Sequence, residues 1–362
     1  MSMGYGSIID RSDRVVSLDA FRGFIMFSML LHTFGLKDVA DVPVVGFIFA
    51  QLNHVPWVGF HFEDLILPTF LFIIGISMGI SETRRNERGE SPNVRTRHAF
   101  KRAAILFVIG FIGTWIAAGK PSLGPGVPQV LAFCYFGGYL FVRMSVKMQF
   151  IVCAALLFAY WFFIFVIPIP EAGRNSYEVF KNLVYFIDNR LTGSTSRWGY
   201  LYPTITSVAV VVYGSIIGKI LAGWPSPARF MKTLAVYGLI GVACGLLLHP
   251  FIPVIKRMFT PSYALFTCGL ASLLLLLFYW IIEVKGKVKW SFFFVVIGMN
   301  SIFVYILDML FNGWLVKTTN VLLNPWADYL GGWISPGAEL MRMTVLWLIC
   351  LWLYRRRIFF KL

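Results

Sequence analysis

The stretch from Asn53 to Pro68 carries more chemistry than any other part of this chain. It holds His54, His61, Glu63 and Asp64 within eleven residues, set among apolar neighbours. A neutral imidazole beside a carboxylate that fixes its tautomer is a general base near neutral pH. His54 and Asp64 are the pair singled out for that role. Asp64 opens an apolar run, where a carboxylate favours the positive end of a helix and can orient an imidazole. His61 and Glu63 read equally well as residues of a solvated loop. His32, at the far end of an earlier apolar run, adds a third imidazole. The spacing of His32, His54 and His61 fits no common zinc pattern, and no metal is expected.

Two further clusters place polar groups inside apolar runs, where each ionisable side chain costs at least about 2.5–3.5 kcal/mol on insertion scales. The first reads Ser17-Leu18-Asp19-Ala20-Phe21-Arg22-Gly23. Asp19 and Arg22 are three apart and share one helix face, so they form an ion pair or leave Arg22 facing an acidic or phosphorylated ligand. The second is Gly298-Met299-Asn300-Ser301-Ile302, followed by Tyr305 and Asp308. Its polar groups need partners inside a bundle or a ligand tunnel to line.

The elements that must position these groups are membrane helices. Ten apolar runs, at 16–36, 64–82, 102–119, 126–143, 149–167, 203–222, 232–248, 262–283, 290–311 and 339–356, are each near the length that crosses a bilayer. The mean hydropathy is +0.74, and only 14% of the 362 residues are charged. We therefore expect an all-α polytopic bundle of about ten transmembrane helices, forming one domain over 1–362. The net charge of +15 would suggest nucleic acid in a soluble protein. Here Lys and Arg favour one set of linkers by roughly two to one, which puts both termini in the cytoplasm and argues against a nucleic-acid partner. The cytoplasmic basic loop 81–102 (Ser81–Arg102), with Arg84, Arg85 and Arg88, is suited to phosphate. Outer-face loops 37–63, 168–202 and 317–337 carry Trp57, Trp198, Trp326 and Trp333, as interfacial covers do. No cleavable signal peptide or strong internal repeat is apparent. The five cysteines lie within the runs at no disulfide spacing and read as small buried residues.

These motifs, in this order, resemble the heparan-α-glucosaminide N-acetyltransferase-like family of transmembrane acyltransferases, which has many bacterial members. The matching pieces are Arg14 with Ser17–Gly23, and His54-x-x-Trp57-x-Gly59-x-x-x-x-Asp64-Leu65-x-x-Pro68-x-Phe70-x-Phe72-x-x-Gly75. Further along come Pro125–Phe136 with Gln129 and Tyr135, then Thr204-Ile205-x-Ser207 leading to Gly214 and Gly218. Pro253-x-x-Lys256-x-x-x-Thr260-x-Ser262, Val284-Lys285-Gly286 and Gly298–Ile302 with Tyr305 complete the set. The resemblance implies that cytosolic acetyl-CoA, the co-substrate, donates its acetyl group through the bundle to an amino or hydroxyl group of a sugar or glycan outside. It implies a bacterial inner membrane and carries the family's active-site histidine onto His54 and its supporting carboxylate onto Asp64. Arg22, Asn300, Ser301, Trp57, Gln129, Arg84 and Arg85 become candidates for binding substrate or CoA. Asn300, Ser301 or a protonated His32 are candidate donors to the developing oxyanion. The chain departs from the animal pattern at His32, at Ser196-Arg197-Trp198-Gly199, after Gln129 and at Asp308, so a heparan acceptor is not carried over.

Residue types alone leave open direct transfer with His54 as base and a covalent acetyl-His54. They also leave open a homo-oligomer and two rival functions. One is an O-acyltransferase of surface polysaccharides, whose first span also pairs an Arg with a later His. The other is a secondary transporter for a lipid or sugar, although the chain lacks clear repeat symmetry.

Overall fold

The computed structural model describes residues 15–119, 126–170, 172–192, 202–223 and 226–360. Among them the chain is a bundle of helices: α1 Val16–Leu31, α2 Pro43–Gln51, α3 Phe62–Glu87, α4 Pro92–Ala118, α5 Val127–Val142, α6 Val146–Val166 and α7 Leu183–Thr192. There follow α8 Thr204–Ala222, α9 Pro227–Leu248, α10 Pro261–Tyr279, α11 Phe292–Met299, α12 Ser301–Leu323, α13 Ala327–Leu330 and α14 Ile334–Arg355. Seven segments are long and apolar enough to cross a membrane by length and composition. The all-α expectation needs one correction, a small antiparallel hairpin of β1 (Tyr177–Glu178) and β2 (Lys181–Asn182) in the linker after α6. Arg14, Lys120, Arg197 and the Ser196–Gly199 departure, with Trp198, lie outside the described residues.

Burial separates inner from outer helices. The apolar windows of α3 and α8 are 72% buried within the protein, whereas that of α6 is 17% buried. Side chains such as Phe158, Leu239 and Leu247 are left exposed, a surface that suits lipid rather than water. In lipid, helices associate through close packing of small residues. Gly75 and Gly79 of α3 face Gly214 and Gly218 of α8, and a Cβ on Gly75 would lie 2.1 Å from the Val211 carbonyl oxygen. Gly75→Leu is therefore expected to lower the melting temperature or abolish folding, since overpacking costs about 1–3 kcal/mol or more. Gly313→Ala, where nothing lies within 4 Å, is the control expected to melt like the parent protein. Equal melting of the two variants would remove the tight α3–α8 contact from the account.

Three expected boundaries change. The expected loop 81–102 is mostly helix: α3 runs on to Glu87 and α4 starts at Pro92, because long basic side chains extend helices into the headgroup region. The linker 317–337 is likewise mostly helical, made of the end of α12, α13 and short 3-10 turns. The run 290–311 is a hairpin. Gly298 packs on Asp19 and Phe294 on Gly23, so α11 descends along α1 towards its start. Ser301 shares a cavity with Arg22 and Asp308 meets His32, so α12 climbs back. The reversal is at Asn300, whose backbone leaves the helical region (φ −127°, ψ 33°). Hydropathy along a chain cannot register such a change of direction.

Candidate active site

The start of α3 is built to hold Asp64 in place. Oδ2 of Asp64 accepts the backbone N–H of His61 at 2.9 Å and of Val55 at 3.2 Å, closing the helix end as a third-position carboxylate does. Pro68 has no N–H for the carbonyl of Asp64 one turn back. The buried Tyr263 hydroxyl donates to that oxygen instead, at 2.5 Å. Oδ1 of Asp64 is left to face His54 Nδ1 at 3.0 Å, and Asp64 is fully buried while His54 is 31% exposed. With Nδ1–H donated to the carboxylate, Nε2 carries the lone pair. That is the geometry of an oriented general base.

A residue absent from the expected site completes it. Lys256, in the linker between α9 and α10, places Nζ 2.8 Å from His54 Nδ1, 3.2 Å from Nε2 and 3.5 Å from Asp64 Oδ1. Its linker is held rigidly. Thr260 Oγ1 donates to the Pro253 carbonyl at 2.7 Å, Thr206 Oγ1 to that of Phe259 at 2.7 Å, and the Gly59 N–H to that of Val254 at 3.0 Å. Burial pulls the Lys256 ammonium down to about 8, opposed by the nearby carboxylates of Asp64 and Glu63. Glu63 lies within electrostatic reach of Lys256, His32 and Asp64. Its Oε2 is buried and accepts no hydrogen bond among the described residues.

The other imidazoles go elsewhere. His61 donates Nδ1–H to the Asn53 carbonyl at 2.9 Å. His32 closes α1 at a positive φ of 47°, a conformation that needs support in a non-glycine residue. Its Nε2 meets Asp308 Oδ2 at 3.2 Å. Asp308 is held in turn by the fully buried Arg342, which also bonds Glu339 at 2.7 Å and the Leu30 carbonyl at the end of α1. The three histidines therefore have separate partners, and His32 belongs to an ion network with Arg342.

At the opposite end of the bundle two cavities, of about 280 and about 310 Å³, share Ser77, Arg102 and Tyr135. Arg85, Arg95, His98, Lys101 and Arg102 line the first. Asp19, Arg22, Ser301, Phe359 and Phe360 help line the second. A narrow apolar extension continues from it past Met26, Met29, Ile302 and Tyr305. Arg22 bonds Asp19 at 3.3 Å and Ser77 at 2.9 Å, so the pair is an ion pair that also lines a cavity. Arg102 stacks on the Tyr135 ring at 4.9 Å.

This arrangement corrects one assignment. Ser77 lies about 20 Å beyond Asp64 along α3 at helical rise. Asn300 and Ser301, at the level of Arg22, are therefore too far from His54 to serve its oxyanion. The amide of Asn300 is occupied by the backbone of Ile358 and Phe360, at 3.1 and 3.0 Å. Gln129 caps α5 through the Gly126 N–H at 2.8 Å. The Trp57 indole ties its linker to the hairpin at the Tyr177 carbonyl, 2.7 Å away. Arg85 lines the basic cavity, while Arg84 is not among its lining residues. The Lys256 and Arg102 positions were visible as basic residues within matching motifs or the basic segment, yet nothing in their spacing marked them above their neighbours.

Comparison with known proteins shows the family. Residues 14–238 match the model of the family described as heparan-alpha-glucosaminide N-acetyltransferase, catalytic, a stretch that includes His54, Asp64 and Arg102. The chain is 26% identical to human heparan-alpha-glucosaminide N-acetyltransferase over 418 aligned residues, covering 96% of this chain and 60% of the human protein. It is 24% identical to the mouse protein of the same name over 363 residues, covering 82% of this chain and 53% of the mouse protein. It thus spans somewhat more than half the length of these curated relatives. Because the family match extends over well more than half of its residues, the chain belongs to the heparan-alpha-glucosaminide N-acetyltransferase catalytic family.

Proposed function

We propose that this chain is a membrane-embedded acetyltransferase of about ten crossings, with both termini cytoplasmic, in a bacterial inner membrane. It moves an acetyl group from cytosolic acetyl-CoA to an amino or hydroxyl group of a sugar on the outer face. The observation that carries this reading is one bundle with an imidazole–carboxylate dyad at one end and a basic cavity at the other. The two are about 20 Å apart along α3, a reach that suits an extended pantetheine arm.

In this reading Arg85, Lys101 and Arg102 take the nucleotide phosphates, whose charge a cationic cleft attracts, while Arg95 is held by the buried carboxylate of Glu82 at 2.5 Å. Arg22, Ser77 and Ser301 flank the arm, and the apolar extension by Met26, Met29 and Tyr305 excludes water from the thioester. At the outer end the acceptor heteroatom attacks the carbonyl carbon and its proton passes to Nε2 of His54. The C–S bond breaks, and that proton returns to the departing thiolate. Asp64 keeps Nδ1 protonated throughout.

Acetyl-CoA is expected to raise the melting temperature of the detergent-solubilised protein. At a hundredfold excess over the dissociation constant the gain is about 2.7 kcal/mol. Arg102→Ala is expected to weaken that response by about tenfold or more in ligand concentration, as one lost charge-assisted hydrogen bond costs about 1.5–3 kcal/mol. A protein that ignores acetyl-CoA at every concentration would refute the acetyltransferase reading and favour a transporter.

A further inference from the structure

We infer that Lys256 is a positioning residue of the outer site, whose ammonium keeps His54 uncharged against the pull of Asp64. The inference rests on the reading of His54 as the base but concerns a different residue and a different observable. An imidazole bonded to a buried carboxylate is drawn towards the imidazolium form, which has no lone pair left to accept a proton. A catalytic base needs the opposite state. The structure supplies a countercharge in the required place. Nζ of Lys256 lies beside the edge of the ring that carries both nitrogens, at 2.8 and 3.2 Å, and within 3.5 Å of the same carboxylate oxygen that His54 uses.

Nδ1 cannot donate to Asp64 and accept from Lys256 at once. Either the ammonium donates to Nδ1 at 2.8 Å, or Nδ1–H is donated to Asp64 and the ammonium donates to Nε2 at 3.2 Å, and both arrangements require a neutral ring. A second proton on that ring would set two cations against each other at hydrogen-bond distance, with Lys256 only 8% exposed. When an acceptor sugar arrives, its N–H or O–H takes the place of the ammonium at Nε2.

Asp64 of α3 contacts the ring itself; Glu63 of α3 and Arg257 of the Lys256 linker act on Lys256, His32 at the end of α1 acts on Glu63, and His61 bonds the Asn53 carbonyl. Asp64 favours a charged imidazole, and Lys256, which touches the ring itself, opposes it.

The test is a histidine titration by NMR on ¹⁵N-histidine-labelled protein in nanodiscs, with the His54 signal assigned by its loss in His54→Gln. Lys256→Met is expected to raise the His54 midpoint by about one to two pH units, as removal of an adjacent charge does. Lys256→Arg, which keeps the charge, is expected to return it to the parent value. If Lys256→Met does not fold, Lys256→Gln carries the same expectation, because it can donate to Asp64 but has no charge. An unchanged midpoint in the neutral variants, or a raised one in Lys256→Arg, would overturn the inference. Failure of the base reading would appear separately, as acetyl transfer that survives His54→Ala, and would leave this titration unaltered.

Discussion

His54→Ala is expected to lower acetyl transfer by at least about 10²-fold, and as much as about 10⁴-fold, the range a positioned base contributes. The reason is specific to the geometry. The imidazole is oriented by a fully buried carboxylate at 3.0 Å, and that carboxylate is itself fixed by two backbone N–H groups. Water cannot reproduce an acceptor held so firmly beside the incoming nucleophile. Acetyl-CoA binding, followed by thermal shift, is expected to persist, because the basic cavity lies about 20 Å away along α3. Asp64→Asn is expected to fall nearly as far, since an amide no longer stabilises an imidazolium as it forms. The measurement is transfer of labelled acetyl from acetyl-CoA in membranes, with mass spectrometry of envelope glycans to identify the acceptor. More than a few per cent of parent activity in His54→Ala would exclude this residue as the base.

The second large effect is on stability. Arg342→Met is expected to destabilise the protein by about 3–5 kcal/mol, the cost of leaving buried charges without their partner. Arg342 is wholly buried on α14 and serves Asp308 of α12, Glu339 of its own helix and the Leu30 carbonyl that ends α1. Its loss takes that partner from Glu339 and from the end of α1 and leaves Asp308 with His32 alone among the described residues. The check is thermal or denaturant unfolding in detergent. Adding Asp308→Asn and Glu339→Gln to the Arg342→Met variant is expected to recover most of the loss, because neutral groups of similar shape replace a broken ion network at little net cost. A single variant that melts like the parent would mean that the network contributes nothing measurable.

The composition and order of residues determined the solvent of this protein and the type of its elements. A run of apolar residues is a local property, and in a bilayer backbone hydrogen bonds close within a segment, so each run reads as helix whatever surrounds it. His54 and Asp64 were legible as a pair for a similar reason: they are ten residues apart, and a short linker brings them together at one helix start. The tertiary structure alone decided what meets them. Lys256 lies 202 residues from His54 and Arg342 lies 34 residues from Asp308. Neither pairing leaves a mark in spacing, because buried charges select partners by position in the packed bundle. The reversal at Asn300 was hidden for the same reason. An apolar pattern records how much surface is buried but not the direction in which the helix runs, and that direction moved Asn300 and Ser301 from the expected catalytic end to the far one.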